Sequence, residues 1–273
     1  MRANRLLAVT VLSVLGVTGL TACNSGGSGD RKGDAAPAAS APAVPASPAA
    51  AESAAGGGLE KLTAAEIMEK SRAAGAKLTS AKLVATVTQE GSTVNATVAA
   101  DSSGNCVGTV GLGGKGTADI RRTADKVWIK PDAEFFAAVI PNGDTPAVKK
   151  IVGKWLASSK ADDIASFAEF CDLALGYQKR IGLNDDGTPD HGGTKGGTKK
   201  VDGIDAVLVT DEDDDGNVVE AAIAAEGEPY LLSAETEGKG SMKYSDFDVP
   251  VQVTAPPADQ VIDLKAFGAG AKV

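Results

Sequence analysis

The chain has 273 residues, a formal charge of -9 and no cluster of basic residues. Nucleic acids and anionic lipid surfaces are recognised by basic patches, so this charge pattern excludes nucleic acid and electrostatic membrane attachment as partners. Hydrophobic residues make up 43% of the chain but aromatic residues only 4%, and alanine supplies much of the remainder.

The N-terminus has the order of an export signal. Arg2 and Arg5 precede an apolar run over residues 6–20, which ends in Leu20-Thr21-Ala22-Cys23. The run spans about 15 residues, fewer than the roughly 20 that cross a bilayer as a helix. We therefore predict a signal peptide over residues 1–22, whose removal with its two arginines takes the formal charge from -9 to -11.

Leu20-Thr21-Ala22-Cys23 resembles the lipobox of bacterial lipoproteins. This resemblance implies that Cys23 is acylated, becomes the first residue of the mature chain and anchors it to the extracytoplasmic side of the cell membrane. The alternative is an ordinary secretory signal followed by an incidental cysteine.

Residues 23–58 read as a tether, because they are rich in Gly, Ser, Ala and Pro and show no apolar periodicity. The folded domain is expected over residues 59–273. It opens with a capping-box pattern, Thr63 followed by Glu66, and four residues on one helical face: Ile67, Met68, Ser71 and Ala74.

From residue 80 the sequence pattern alternates with a period of two residues, and short segments of this kind joined by tight turns predict an antiparallel meander. Its strands run from residue 80 to the Gly91-Ser92 turn and over 93–101, 106–112, 117–123 and 127–131. Helical spacing follows at 132–139, 146–152 and 161–175, with a short extended stretch at 153–156 that suits a sheet edge.

A polar loop at 184–197 leads into a second meander. Its strands are predicted at 199–201, 204–210, 217–225, 230–237 and 241–247, and Val261, Ile262 and Leu264 are expected to dock. Two meanders around a helical insertion most economically form one curved sheet, so the predicted fold class is α+β.

Several segments together resemble the actinobacterial LppX/LprA/LprG lipoproteins and their LolA-like relatives. They are residues 125–130 (DKVWIK), 153–155 (GKW), 227–231 (GEPYL) and 244–248 (YSDFD). The resemblance implies a curved antiparallel half-barrel wrapped over helices, with a hydrophobic cavity for lipid acyl chains and no reaction.

The cavity candidates are apolar residues on faces expected to meet: Leu83, Val87, Val98, Val110, Trp128, Phe135, Phe136 and Phe167. A solid core built from the same side chains is the alternative, since buried aromatics most often pack.

Catalysis and cofactors are not expected. The single histidine, His191, lies in a Gly-rich loop with no neighbour to orient it as a base. There is no nucleophile elbow, phosphate-binding loop or paired-histidine metal motif.

With Cys23 acylated, Cys106 and Cys171 remain in an exported chain, where disulfides persist. We predict that they form a bridge between a strand and a helix. Two separately buried thiols are the alternative.

The run from Asp211 to Gly216 resembles the opening of an EF-hand calcium loop, with Asp211, Asp213 and Asp215 at alternate positions. Ala222 occupies the twelfth position, where a glutamate is needed. A solvated hairpin turn is therefore favoured over a calcium site.

These features lead to the expectation of an envelope lipoprotein that binds, and carries, a lipid or other hydrophobic ligand. The alternative is a non-enzymatic sensor or regulatory module that contacts another envelope protein through the same fold.

Overall fold

Residues 58–89, 91–139, 149–158, 168–184, 186–190, 192–213 and 216–263 are described by a computed structural model. They contain twelve strands, β1–β12, and three α-helices, α1–α3. The strands are β1 Ser80–Gln89, β2 Ser92–Asp101, β3 Cys106–Leu112, β4 Thr117–Arg122, β5 Val127–Pro131, β6 Trp155–Ser158, β7 Thr194–Val201, β8 Ile204–Glu212, β9 Val218–Ala224, β10 Leu231–Thr236, β11 Gly240–Ser245 and β12 Val261–Asp263. The helices are α1 Ala64–Gly75, α2 Ala133–Val139 and α3 Glu169–Arg180.

All twelve strands form one curved sheet in the order β12-β6-β5-β4-β3-β2-β1-β11-β10-β9-β8-β7. Neighbouring strands are antiparallel except for β12 and β6, which pair in parallel. The two predicted meanders join where β1 pairs with β11, with Leu83 opposite Tyr244. The predicted α+β class, a single curved antiparallel sheet over helices, is confirmed.

Helix α1 begins at the predicted capping box. The Glu66 carboxylate accepts a hydrogen bond from the Thr63 backbone N–H at 2.8 Å, and Thr63 Oγ1 accepts one from the Glu66 N–H at 3.3 Å. The bonds that Thr63 donates lower the pKa of Glu66. The helix ends at Gly75, where it crosses α3 so closely that a side chain would collide with the backbone of Gln178.

The helices cover one face of the sheet, which we call the inner face. Helix α3 packs across β1 and β2 and against α1, while α2 lies on β4 and β5. Ile67 of α1, Phe135 of α2 and Ala174 of α3 join the inward side chains of the strands in one large buried cluster. The core therefore lies between the sheet and its helices.

The outer face carries a second, smaller set of buried groups. Trp155 of β6 is buried beneath the Arg121 guanidinium, which lies 4.5 Å from its ring centre. Arg121 also donates a hydrogen bond of 2.8 Å to the carbonyl of Thr254. The chain between β11 and β12 is thereby attached to the outer face of the first meander.

Apart from shifts of one or two residues at strand ends, the structure differs from the predictions in the start of β7, the end of α3 and the position of β6. Strand β7 begins at Thr194, inside the predicted loop 184–197, because its polar, mostly exposed residues lack an apolar alternation yet pair with β8. Helix α3 continues past residue 175 to Arg180. Strand β6 is not at the edge of the sheet, because β12 pairs with it on the side away from β5. Residues 140–148 and 159–167, which hold much of two predicted helices, and Leu264 lie outside the described residues.

Candidate ligand-binding site

Strand register sorts the inner face into rows that run across the strands. One row, here called the bulky row, is continuous from β11 to β6 through successive partners. Its members are Tyr244, Leu83, Val98, Gly108, Ile120, Ile129 and Leu156. Apart from Gly108, these are large side chains, and all of those large side chains are buried. The bulky row forms the solid part of the core.

The next row, two residues further along each strand, is made of small side chains. This alanine row crosses seven strands, from β9 to β4. Its members are Ala221, Ala234, Met242, Ala85, Ala96, Val110 and Ala118. Five of the seven are alanines, and they are buried. Because an alanine side chain ends at Cβ, the side chains of this row reach less far from the sheet than those of the bulky row, and the groups packed over them keep them buried.

Beyond the alanine row, a third row is open to solvent. Val87 of β1 pairs with Val94 of β2, which pairs with Leu112 of β3. Val87 is 40% exposed, and Val94 and Leu112 are half-buried against the core. We call these three residues the rim. It gives the alanine row an apolar border on the side away from the bulky row.

Helix α3 presents one flank to the alanine row. Phe170, Leu173 and Tyr177 share a stripe at helical spacing, beside the face that is buried in the core. Asp172 lies on the other flank and pairs with Arg122, one row below the bulky row. The stripe therefore faces the opposite way, toward Met242 and the alanines. Leu173 is 40% exposed, so this wall is partly open.

Two phenol groups lie where this flank meets the sheet. The Tyr244 hydroxyl is 3.4 Å from the carbonyl oxygen of Leu173 and 3.9 Å from the sulfur of Met242. Burial raises the pKa of both phenols, and the proximity of Tyr177 raises that of Tyr244 further. Both groups are therefore protonated at neutral pH and act as hydrogen-bond donors.

A disulfide and a buried cation fix α3 to the sheet. Cys106 and Cys171 form the predicted bridge, with their Cα atoms 5.9 Å apart. Arg122 contacts Asp172 at 2.7 Å and donates hydrogen bonds to the carbonyls of Ala168 and Gly104. The N-terminal half of α3 is therefore held over β3 and β4.

The predicted cavity residues that the structure describes lie in four environments, and the fourth is that of Trp128. Leu83, Val98, Val110 and Phe135 lie together in the main inner cluster. Phe136 packs in a small neighbouring cluster with Ile151 and Leu156. Val87 belongs to the exposed rim, and Phe167 lies outside the described residues.

Trp128 does not share the inner face. It pairs with Arg121, while its neighbours Val127 and Ile129 point into the core, so the alternation of the strand places Trp128 on the outer side. Trp128 was predicted as a cavity residue because it is large and apolar. Successive residues of a strand point to opposite faces, so the sequence already separates it from Val127 and Ile129.

Sequence reasoning missed the small residues of the site. Ala85 and Ala96 alternate in phase with Leu83 and Val98, so their face was readable from the sequence. What the sequence does not show is that alanines of two distant meanders fall into one row. Tyr177 and Tyr244 were missed for the same reason.

The described part of the acidic run spans the end of β8 and the start of the connection to β9, where the Gly216 N–H donates a hydrogen bond of 2.8 Å to the Asp213 carbonyl. The Asp213 carboxylate accepts hydrogen bonds from the backbone and side-chain N–H groups of Asn217. Burial, together with the nearby Asp190 carboxyl, raises the pKa of Asp211. Asp215 and His191 lie outside the described residues, and within those residues no group of three potential ligands is arranged around a metal position.

An open cavity of about 450 Å³ is lined by β2, β3 and the start of β4, beside the Gly-rich turn that joins β3 and β4. Its lining includes Asn95, Thr97, Thr109 and Asp132. Ala96 of the alanine row and Leu112 of the rim also line this cavity, so it adjoins the apolar rows of the inner face.

The signal segment, Cys23 and the tether up to residue 57 lie outside the described residues. In the described part of the chain, no helix has the length and apolar character needed to span a membrane.

Comparison with known proteins finds likeness among solved structures. LprF from Mycobacterium bovis is 15% identical with a TM-score of 0.46, over 71% of this chain and 97% of LprF. The lipoprotein LppX from Mycobacterium tuberculosis is 18% identical with a TM-score of 0.43, over 70% of this chain and 98% of LppX. LppX gives its name to the family that the sequence resembles.

A more distant likeness is the MucA/MucB complex of Pseudomonas aeruginosa, 12% identical with a TM-score of 0.30, over 72% of this chain and 59% of the matched chain. No protein-family model and no curated protein matches the chain. These likenesses concern the course of the chain alone and bring no ligand or activity to it.

Proposed function

We propose that the protein is a cell-envelope lipoprotein that binds, and carries, a lipid or other hydrophobic ligand on the inner face of its sheet. In this proposal residues 1–22 are the signal peptide and Cys23 is acylated and anchored on the extracytoplasmic side of the membrane. Residues 23–58 are the tether and residues 59–273 the LolA-like binding domain. The protein is a binding protein without a catalytic step or cofactor.

The alanine row is the observation that carries the proposal. Five alanines in register across seven strands lower the floor of the inner face along a line perpendicular to the strands. The bulky row borders this line on one side and the partly exposed rim on the other. An extended alkyl chain has the shape and polarity of such a trench.

Binding would be a partition of alkyl groups from water or bilayer onto this apolar floor. Each methylene removed from water contributes about 0.8 kcal/mol. The open side chains at the border, Val87 of the rim and Leu173 of α3, are where a chain would first make contact. Because no bond is formed, the ligand can be released again, as carriage requires.

A second function, contact with another envelope protein, is favoured by one observation. Among the described strands β7 is the last of the sheet, and one side of its backbone pairs with none of them, which suits pairing with an extended segment of a partner. Its lysines oppose this use: Lys199 and Lys200 form ion pairs with Glu220 and Asp205, and such charges protect edges from pairing.

The test uses the chain from Asn24 onward, which lacks the signal and the acylated cysteine. Residues 51–273 form one compact unit, so the folded part is retained. The purified protein is extracted with solvent, and co-purifying lipid is identified by mass spectrometry. Binding of the fluorescent apolar probe N-phenyl-1-naphthylamine is measured in parallel.

Two variants of one strand make the experiment specific. Ala96→Leu fills the alanine row, whereas Ala99→Leu adds the same group to the outer face of β2. We expect lipid and probe in the wild type and in Ala99→Leu, and less of both in Ala96→Leu. Absence of lipid and of probe binding in the wild type would favour the protein-contact function.

A further inference from the structure

Two cations on the outer face of the sheet converge on one buried tryptophan. The Arg121 guanidinium of β4 lies 4.5 Å from the centre of the Trp155 ring, and the Lys130 ammonium of β5 lies 5.9 Å from the same centre. Both distances are within the range of a cation–π interaction. In the sequence the β4–β5 hairpin separates the two cations, so they form no basic cluster there. The pairing of β4, β5 and β6 brings them together.

No carboxylate neutralises this pair of cations. Among the residues that the structure describes, no ion pair includes Arg121 or Lys130. Asp119 lies directly opposite Lys130 in the register of β4 and β5, yet the ammonium contacts the Trp155 ring, and Asp119 accepts a hydrogen bond of 3.4 Å from the Thr109 hydroxyl. Like charges that are held close together repel each other, so an anion between them would be stabilised.

The Arg121 guanidinium is already held in one position. The Trp155 ring lies beneath it, and the Thr254 carbonyl accepts a hydrogen bond of 2.8 Å from its Nη1. A guanidinium has five N–H donors in a planar fork, so most of them remain for a ligand. Lys130 adds three donors, and none of them bonds another residue of the described chain. Because Arg121 is fixed in advance, it loses little conformational freedom when an anion binds.

The donors suit a phosphate group better than a carboxylate. A carboxylate has two oxygens, and a guanidinium fork engages both of them in bidentate contact. A phosphate group offers further oxygens, which suit an ammonium on the neighbouring strand. Trp155 is buried beneath the cations, so its ring is not available to stack on a planar group of the ligand. Charge and oxygen geometry therefore determine what binds.

We propose that Arg121 and Lys130 form a binding site for a phosphate group on the outer face of the sheet. The inference goes beyond the proposed function and does not depend on it, because the alanine row lies on the inner face. The phosphate group belongs either to a soluble compound or to a lipid headgroup, which share this chemistry.

The experiment titrates the chain beginning at Asn24 with inorganic phosphate and with sodium chloride of equal ionic strength. Calorimetry measures the affinity. Tryptophan fluorescence reports where the anion binds, since the two tryptophans of the chain, Trp128 and Trp155, both lie on the outer face.

Two variants make the titration specific. Lys130→Gln removes one cation of the site. Lys82→Gln is the matched control, because it removes the same charge from the outer face of β1, where the ammonium lies 3.9 Å from the Asp246 carboxylate. Thermal melting without phosphate confirms that both variants are folded.

We expect phosphate, and not chloride, to change the fluorescence of the wild type. Lys130→Gln should bind phosphate about tenfold more weakly, the effect of one lost charge-assisted hydrogen bond. Lys82→Gln should match the wild type. Equal responses to phosphate and chloride, or equal losses of affinity in the two variants, would overturn the phosphate site and leave the proposed function untouched.

Co-sedimentation with vesicles identifies the source of the phosphate group. Vesicles of phosphatidylcholine are compared with vesicles that also contain phosphatidylglycerol. The formal charge of -9 disfavours an anionic membrane surface, so we expect both kinds of vesicle to bind the wild type and Lys130→Gln equally, which assigns the site to a soluble phosphate compound. If phosphatidylglycerol increases the binding of the wild type but not of Lys130→Gln, the site takes a lipid headgroup. If Lys130→Gln changes the binding of neither inorganic phosphate nor vesicles, there is no phosphate site.

Discussion

The bulky row and the alanine row are neighbours on one face, yet they differ in what their side chains can do. Leu83, Ile120 and Ile129 of the bulky row fill the space between sheet and helices. Ala85, Ala96 and Ala118 of the alanine row are equally buried but reach less far from the sheet. The same backbone thus supports a packed core and, one row away, the proposed floor for a ligand. Side-chain size, and not burial, separates the two.

The largest expected effect comes from removing the disulfide that holds α3 to β3. Replacing Cys106 and Cys171 by serine should lower the free energy of unfolding by on the order of 4 kcal/mol, since the bridge closes a long loop. Urea denaturation measures the loss. The wild-type control is intact mass after alkylation without reductant, which should show no free thiol; two alkylated cysteines would contradict the bridge.

The bulky row should behave as a solid core. Leu83→Ala is expected to cost about 3 kcal/mol of unfolding free energy, from lost burial and the cavity left behind. Urea denaturation is again the measurement. A cost below about 1 kcal/mol would mean that the bulky row is as loosely packed as the proposed trench.

The alanine row should tolerate an added side chain. Ala96→Leu is expected to change the unfolding free energy by less than about 1 kcal/mol while reducing lipid binding, because the new group occupies the trench. Ala99→Leu on the outer face provides the baseline. If Ala96→Leu lowers the unfolding free energy by about 1–3 kcal/mol, the usual cost of overpacking, other side chains already fill the space above the alanine row. The two rows would then be equally well packed.

The smallest effect is a pH dependence outside both rows. Hydrogen bonds from the Thr79 N–H and hydroxyl, and from the Tyr230 hydroxyl, lower the pKa of Asp248. Its folded pKa is then below its unfolded pKa of about 3.9. Its stabilising contribution is complete above that value and is lost as the pH falls through the folded pKa.

Asp248→Asn should therefore destabilise the protein at pH 7 and make its unfolding free energy less dependent on pH below 4 than that of the wild type. Urea titrations at pH 7 and pH 3 measure this. Equal pH dependence of the two proteins would show that the carboxylate contributes nothing through these bonds. Burial, the hydrogen bond to Asp248 and the charges of Asp248 and Glu228 raise the pKa of Tyr230 to about 12.

Local features were predictable from the sequence because local physics determines them. The capping box of Thr63 and Glu66, and the strands Cys106–Leu112 and Val127–Pro131, have the predicted bounds. The Cys106–Cys171 pair was predictable because only two cysteines remain once Cys23 is assigned to acylation in a chain that is predicted to be exported.

The candidate site was less predictable, since it depends on register between distant strands. Ala85 meets Met242 only because β1 pairs with β11, and no local pattern specifies that pairing. The aromatic residues drew attention instead, and Trp128 proved to lie on the outer face. Strand β7 was missed because an exposed edge strand needs no apolar alternation.

The pairing of β1 with β11 has a consequence for how the domain assembles. Within each meander, successive strands meet through short hairpins, whereas β1 and β11 come from opposite ends of the domain. The hairpins can form early, whereas the pairing of β1 with β11 forms late, because bringing distant segments together has a larger entropic cost of loop closure. Cleavage of a peptide bond in the loop at 186–190 would divide neither meander. Both cysteines of the disulfide would remain in the N-terminal fragment. The two fragments should then reassemble as complementary halves.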